Sequence, residues 1–482
     1  MLDYSKKITL HREFYPLKDI DTSVESDRGR ILSSPAFRRL QKRTQVFALE
    51  LNASIRTRLT HSLEVSQNSR FISKTILSKL KQKDDLESYQ LDGLENAFAS
   101  TAEMTSLLHD IGNPPFGHFA EQTINDWIKK NLIEKLNSFE TINEEHINLK
   151  ELIKKDICNY DGNAQTIRVI SKLQRLNLSY TQILAVLKYT RGAFEDKPKK
   201  GDDFDYLKKK PGYYYSEKDF IEKIQETLEV KKFCRFPITY IMEAADDISY
   251  LTADLEDSVE KGILTLDEVY NLIKQECEKE DEHYLLEVIQ DRYEKAKKDE
   301  EPYQFNMFFT LVRAKLVSSL VYYVVDIFID NHEKIFNGEF NSALLEFDKE
   351  SKYYKAIKIL QNISRKYIYQ NKHVQTLELK CYAIINGLFS KYKPLLDLTC
   401  EDFERILKDE EIDCFISIRL LRRISPKQIV AYKNDLKNLD KKDMHSYKIL
   451  EWYYRVRLII DYISGMTDDY AFEEYKTLLI IN

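Results

Sequence analysis

His109 and Asp110 stand together after the apolar run Leu107-Leu108 and before Ile111-Gly112. An imidazole nitrogen beside a carboxylate offers one ligand each to a divalent cation of hard to borderline character. Alone, such a pair is more often a helix-end cap or a surface pair. Polar groups entering a core at a chain reversal need partners, however, and a metal ion is one. A second carboxylate pair, Asp246-Asp247, adjoins Ala244 and Ala245 in an otherwise amphipathic segment, where unpaired burial would be costly. Asp247 is expected to face solvent. Asp246, Tyr250 and Asp254 recur at i, i+4 and i+8, within about 80° on one helical face. That stripe can line a pocket or lie along a solvated acidic face. His61 follows Arg56-Thr57-Arg58-Leu59-Thr60, so a further candidate ligand lies within a turn of two guanidiniums suited to bidentate phosphate contacts. Metal and polyphosphate are implied together.

These residues need helices to position them. Ser100-Thr101-Ala102-Glu103 fits the S-x-x-E capping box and predicts a helix start, with Met104, Leu107 and Leu108 as the apolar stripe and Gly112 as the stop. After Asn113-Pro114-Pro115, a second helix beginning near Gly117 carries His118 and Glu121 on adjacent turns. A third opens at Pro237, a residue suited to the first helical position, and runs to Gly262.

Composition agrees with a helical chain. Among 482 residues, glycine (12) and proline (10) are scarce, which argues against collagen-like, low-complexity and turn-dense all-β architectures. With 43% hydrophobic and 32% charged residues the chain has the apolar matter to fold. Six scattered cysteines without a C-x-x-C argue for reduced thiols over a disulfide framework or zinc ribbon. The longest apolar run, residues 316–329, is interrupted by Ser318, Ser319 and Asp326 and falls short of a bilayer span, so no membrane association is expected. The N-terminus lacks the features of a secretory signal, and the cytoplasm is the expected compartment. A net charge of −6 gives no global attraction for nucleic acid. Only a local patch could hold a polyanion, with Arg28, Arg30, Arg38, Arg39, Lys42 and Arg43 as candidates. No repeat or flexible linker divides the chain. Surface insertions are expected at Ser138–Glu151, Asp196–Glu217 and Lys274–Glu301.

Several blocks together resemble the bacterial dGTP triphosphohydrolases of the HD-domain hydrolase superfamily. They are Arg38-Arg39-Leu40-Gln41-Lys42-Arg43-Thr44-Gln45-Val46-Phe47, then Arg56-Thr57-Arg58-Leu59-Thr60-His61-Ser62, then the run from His109 to His118, then Asp246-Asp247-Ile248-Ser249-Tyr250. Asp161-Gly162-Asn163-Ala164-Gln165, Leu187-Lys188-Tyr189-Thr190-Arg191, Lys209-Lys210-Pro211-Gly212 and the C-terminal Asp461-Tyr462-Ile463-Ser464-Gly465-Met466-Thr467-Asp468 extend the likeness over nearly the whole chain. His-Asp alone would suggest only the broad superfamily; the long block around His109 and the C-terminal motif point to the dGTPase branch.

The resemblance implies an all-α, mainly helical fold in which residues 1–482 form a single large domain. Its metal-site core spans about 28–262, and a helical C-terminal region, about 263–482, completes the nucleotide pocket. It implies one divalent metal per subunit, Mn²⁺ or Mg²⁺ first and Fe²⁺, Co²⁺ or Zn²⁺ as alternatives, held by His61, His109, Asp110 and Asp246. It implies a catalytic dyad of His118 steered by Glu121. Arg58, Asn163, Lys188, Tyr189 and Lys210 would hold phosphates, Gln45 and Asp254 would lie near the sugar 3′-hydroxyl, and Tyr250 would pack against the sugar. Glu378 and the cluster Arg419, Arg422 and Arg423 are candidates for the guanine pocket. The implied reaction is hydrolysis of dGTP at the α-phosphate to deoxyguanosine and inorganic tripolyphosphate, in a homo-oligomer, often a hexamer, with single-stranded DNA as an effector. The competing readings are an HD phosphohydrolase acting on other dNTPs or nucleotide monophosphates, and a single-stranded-DNA-binding regulatory protein.

Overall fold

The computed structural model describes residues 2–83, 85–301, 303–437 and 439–480. Among these residues there are twenty-three α-helices and one pair of short parallel strands, the all-α architecture expected. The elements that matter to the site, in chain order, are α1 (Arg58–Gln82), α2 (Glu95–Leu108), α3 (His118–Asn131), α4 (Gly162–Arg168), β1 (Arg191–Gly192), β2 (Pro211–Tyr213), α5 (Pro237–Glu260), α6 (Tyr303–Asp330), α7 (Lys372–Asp397) and α8 (Met444–Ser464).

Helix α1 starts at a reciprocal cap. The Thr57 hydroxyl accepts the Thr60 N–H at 3.4 Å while the Thr60 hydroxyl accepts the Thr57 N–H at 3.0 Å, which pins the first turn that carries His61. Helix α5 opens at Pro237 as expected and ends at Glu260, with Lys261 as its C-cap and Gly262 following at φ +72°. Helix α2 departs from expectation. It begins at Glu95, and Ser100 lies buried in its interior, its hydroxyl turned back to Asn96. The S-x-x-E spacing is a coincidence here, because Ala97, Phe98 and Ala99 already continue the apolar face and Glu103 is occupied by Arg28 and Arg70. Helices α1, α2 and α5 pack on one another, and α2 is buried along nearly its whole length.

Two apolar clusters fill the molecule. One gathers residues of α1, α2, α5 and α6; the other joins Trp127 and Ile128 of α3 to Phe389 of α7 and Trp452 of α8. The apolar run 316–329 belongs to α6, which continues on its N-terminal side and is long and apolar enough to cross a membrane by length and composition. A buried helix of a folded core meets the same two criteria, so length and composition alone do not make it a span. Here Phe308, Val312, Leu316, Leu320, Val324 and Phe328 are all buried at four-residue spacing against the core, and the helix is also tied by ion pairs from Lys79 to Asp326 and from Arg313 to Glu256.

The expected surface insertions are only partly on the surface. Within 138–151 only His146 is buried, but residues 274–301 include helical segments whose inner faces bury Cys277, Leu285, Val288, Ile289 and Ala296. The stretch 196–217 returns to the core, where β2 pairs with β1 and places Lys210 beside Tyr189 through Gly212, whose missing Cβ admits the Tyr189 carbonyl. Part of the basic N-terminal track is engaged: Arg28 pairs with Glu103, Arg30 donates to the Leu176 carbonyl, and Arg43 is wholly buried, while Arg38 and Lys42 are exposed.

Arg43 joins the two ends of the chain. Its guanidinium donates to the carbonyls of Ser464 (2.7 Å) and Met466 (2.9 Å) after α8, to Ile111 (3.3 Å) and to Asn113 in the turn after α2. Nearby, the Asp468 carboxylate accepts the Thr44 hydroxyl at 2.6 Å and the Phe116 N–H at 3.0 Å. Replacing Arg43 with Ala leaves buried carbonyls without donors, and we expect a stability loss of about 3 kcal/mol or more, read as a lowered urea midpoint. An unchanged midpoint would show that the contacts carry no weight.

Candidate active site

Helix α2 stops at Leu108, and His109 takes the C-cap position. Its Nδ1 lies 2.6 Å from the Ser106 carbonyl. A carbonyl only accepts, so Nδ1 carries the proton and the Nε2 lone pair of the neutral ring points the other way. There it meets Asp246 Oδ1 at 3.5 Å and Asp110 Oδ1 at 3.6 Å. His61, from the first turn of α1, places its Nε2 3.1 Å from the same Asp246 oxygen. Donor atoms of His61, His109 and Asp110 lie within 4.8 Å of one another. A lone pair facing two carboxylate oxygens is repulsive unless a positive charge lies between them. Two imidazoles and two carboxylates form a donor set that a divalent cation satisfies, so the residues fit a metal. Burial opposes charge on His109, but Asp110 and Asp246 outweigh it and push the imidazole up to about 9.

The carboxylates are held from behind. Arg58 Nη1 donates to Asp110 Oδ2 at 2.5 Å, Asn113 Nδ2 to Asp110 Oδ1 at 2.5 Å, and Lys188 Nζ to Asp246 Oδ2 at 3.4 Å. Burial alone would raise both acids; for Asp110 the Arg58 guanidinium, and for Asp246 the His109 imidazole with Lys188, hold them below the usual carboxylate range. Asp247 is half-buried, and not fully solvated as expected. It lines the same cavity, and burial, with Glu243 and Asp246 nearby, pushes it up to about 8 against the pull of Lys188.

The turn between α2 and α3 reverses at Gly117, φ +68°, where the Arg58 guanidinium occupies the space a Cβ would take. His118 then opens α3 with its side chain 73% exposed, while Glu121 is buried. His118 Nδ1 sits 3.0 Å from Glu121 Oε2, and Glu121 Oε1 accepts the Gly162 N–H at 2.9 Å. Burial raises Glu121, but His118, Lys210 and that N–H bring it below its ordinary value. An ionised Glu121 fixes the Nδ1–H tautomer and leaves Nε2 of His118 free. Asp161 completes this side, accepting from Asn163 Nδ2 at 2.7 Å and facing Lys210 Nζ at 3.5 Å.

Most of these groups, though not Asp161, share a cavity of about 470 Å³. Gln45, Arg58, His109, Asp110, His118, Asn163, Lys188, Tyr189, Lys210, Asp246, Tyr250 and Asp254 all line it. His61 and Glu121 are absent from the lining and touch residues that do line it, Asp246 and His118. The stripe on α5 is therefore a pocket wall, extending about 12 Å from Asp246 to Asp254 at the helical rise. Gln45 Oε1 is buried without a partner, as a group awaiting a ligand would be. Arg56 is not available for phosphate, because Glu64, Glu256 and Asp257 all engage it.

The far wall comes from the C-terminal half: Tyr369, whose hydroxyl donates to Asp254, and Val374, Leu377, Glu378 and Cys381 from α7. Glu378 is brought in as expected, but the arginine cluster is not. Arg423 pairs with Glu474, Arg422 with Asp409, and Arg419 donates to the Phe415 carbonyl. Asn113, Tyr369 and Leu377 were missed. Asn113 lay inside a recognised motif, whereas nothing local marks Tyr369 or Leu377.

Residues 58–176 match the HD domain model, and residues 429–477 match that of the phosphohydrolase-associated domain. A deoxyguanosinetriphosphate triphosphohydrolase of Salmonella typhimurium is 42% identical, covering 100% of this chain and 99% of its own length. Proteins of that name from Salmonella schwarzengrund and Salmonella typhi are 41% identical over the same shares.

Gly162 is the tightest point of the site. A Cβ there would overlap Asn113 Oδ1 and lie 2.9 Å from Glu121 Oε1, displacing the supports of Asp110 and His118 together. Gly162→Ala is expected to lower kcat by about 10²-fold, with helix content retained by circular dichroism. Wild-type turnover would show that neither support matters.

Proposed function

The chain belongs to the deoxyguanosinetriphosphate triphosphohydrolases, a family of HD-domain hydrolases, and on that premise we propose that it hydrolyses dGTP at the α-phosphate, releasing deoxyguanosine and inorganic tripolyphosphate. The observation that carries this reading is His109 Nε2 facing Asp110 and Asp246 in a cavity whose other charged lining includes Arg58, Lys188 and Lys210.

His61, His109, Asp110 and Asp246 would hold one divalent ion, Mn²⁺ or Mg²⁺, with Fe²⁺, Co²⁺ and Zn²⁺ also compatible with the donor set. Such an ion, when bound, neutralises charge that develops on phosphoryl oxygens. Arg58, Lys188, Lys210, Asn163 and Tyr189 bind the phosphate chain and neutralise part of its charge. Water attacks the α-phosphorus, the bond to O5′ breaks, and the leaving oxygen gains a proton. His118 Nε2, fixed by Glu121 on the opposite nitrogen, is the group that moves a proton at that centre. Tyr250, one helical turn beyond Asp246, packs against the sugar and leaves no room for a 2′-hydroxyl, while Gln45 and Asp254 face its 3′ side. Glu378 faces the base from α7.

In this reading residues 1–482 act as one unit: the core of about 28–262 carries the metal site, and residues 263–482 close the pocket. Exposed Leu379 and Tyr382 on α7, beside the pocket wall, and Phe415 favour a homo-oligomer that covers them.

Incubating the protein and Mn²⁺ with each of the four dNTPs and GTP, quenching with EDTA and recording ³¹P NMR spectra tests the reaction. Tripolyphosphate from dGTP, absent with Asp246→Ala at unchanged helix content, is the expected result. Orthophosphate or pyrophosphate would overturn the bond assignment, and equal turnover of all dNTPs the base preference. Tyr250→Ala should shift the ratio of dGTP to GTP turnover toward GTP by at least about tenfold. An unchanged ratio would remove the steric gate.

A further inference from the structure

A second cavity, of about 450 Å³, lies among C-terminal helices and shares no lining residue with the active site. The helix Cys400–Ile406 contributes Cys400 and Glu404, the helix Pro426–Lys437 contributes Tyr432, Lys433, Leu436 and Lys437, and α8 contributes Tyr447 and Glu451. The size is that of a small-molecule site.

The floor is apolar. Leu407, Leu436 and Leu439 lie beside the Tyr432 and Tyr447 rings, both of which are buried. Tyr432 is locked, since its hydroxyl donates to Glu451 at 2.6 Å and its ring meets Phe403 edge-on at 5.5 Å. The rim is basic: Lys408, Lys433, Lys437 and Lys441, all exposed. The acids of the lining do not cancel them. Glu451 is consumed by Arg455 in a two-point pair of 3.0 and 2.6 Å, and among the described residues Glu404 meets only Lys408, at 3.5 Å across two exposed side chains. Lys437 contacts the neutral Asn434, and Lys441 rests over the Tyr447 ring at 5.2 Å. Among the described residues, no ion pair engages Lys433, Lys437 or Lys441.

From this geometry we infer that the cavity binds a small amphipathic anion, with an aromatic or branched apolar body on the Tyr432–Tyr447 floor and a carboxylate, sulfonate or phosphate group among the lysines. An apolar body explains the floor, and an anionic head explains unpaired lysines converging on its mouth. A neutral apolar ligand would leave the lysines without purpose. A strongly hydrated inorganic anion would leave the floor unused.

The test uses the full chain and two fluorescent probes with the same aromatic body. These are 8-anilinonaphthalene-1-sulfonate, which is anionic, and N-phenyl-1-naphthylamine, which is neutral. The sulfonate is expected to bind saturably, one per chain, and Lys433→Glu with Lys437→Glu should weaken it by about tenfold or more at low salt, the scale of two reversed surface charges. The neutral probe should be little affected by the same pair. Both lysines are exposed, so the fold should survive; Lys433→Ala with Lys437→Ala, which adds no charge, should weaken the sulfonate in the same direction. Equal affinity in wild type and both variants would overturn the site. Equal weakening of both probes would overturn the anion preference.

Discussion

Two carboxylates, one buried and one half-buried, that face one another across a pair of imidazoles are the constraint around which the molecule is arranged. Removing Asp110 and Asp246 from water without compensation would cost more than most of the fold's other local choices. The compensation is distributed: Arg58 and Asn113 serve Asp110, Lys188 serves Asp246, and each comes from a different segment. What remains uncompensated is the centre, where His61 and His109 present nitrogen and no fixed proton can satisfy every pair at once. A site of this kind is held ready for a cation, because the packing of α1, α2 and α5 prevents the donors from relaxing apart.

The C-terminal half supports that centre from behind as well as closing the cavity in front. Arg43 and Asp468 fasten the segment after α8 to the turn that follows Asp110 and to the backbone of Phe116. Arg168 at the end of α4 reaches Asp461 at 2.8 Å, Glu217 at 3.0 Å and Asp435 at 3.3 Å, all buried. A guanidinium can bridge so many acceptors because its planar fork carries five donors and does not deprotonate. The turn carrying His109, Asp110 and His118 is thereby clamped between α5 on one side and α8 on the other. The dyad inherits its geometry from the same clamp, since Glu121 is positioned by the N–H of Gly162, the first residue of α4.

The cavity is chemically graded. His118, Arg58, Lys188 and Lys210 adjoin the carboxylate centre, whereas Tyr250, Tyr369, Val374, Leu377 and Glu378 are supplied by the farther part of α5 and by the region from residue 369 onward. A ligand with a polyanionic end and a flat, partly apolar end matches that gradient. The short β1–β2 pair has its purpose here: it carries Lys210 back from a long charged excursion to sit against Asp161.

The sequence alone determined the chemistry's raw material. His61, His109, Asp110 and Asp246 are recognisable as candidates because few residue types can ligate a metal. The stripe of Asp246, Tyr250 and Asp254 follows from helical periodicity, and Pro237, Gly117 and Gly262 mark their helix ends because backbone geometry is local. Only the tertiary structure decided which neighbours joined them. Arg56 and Arg58 look alike in sequence, yet Arg56 is taken by Glu256 and Asp257, two hundred residues away, while Arg58 enters the cavity. Ser100 reads as a cap but is buried, Asp247 reads as solvated but lines the pocket, and Glu378 enters while Arg419, Arg422 and Arg423 do not. The reason is common to all of these: local spacing sets the direction of a side chain from its own backbone, but its burial and charge partners are set by segments remote in the chain.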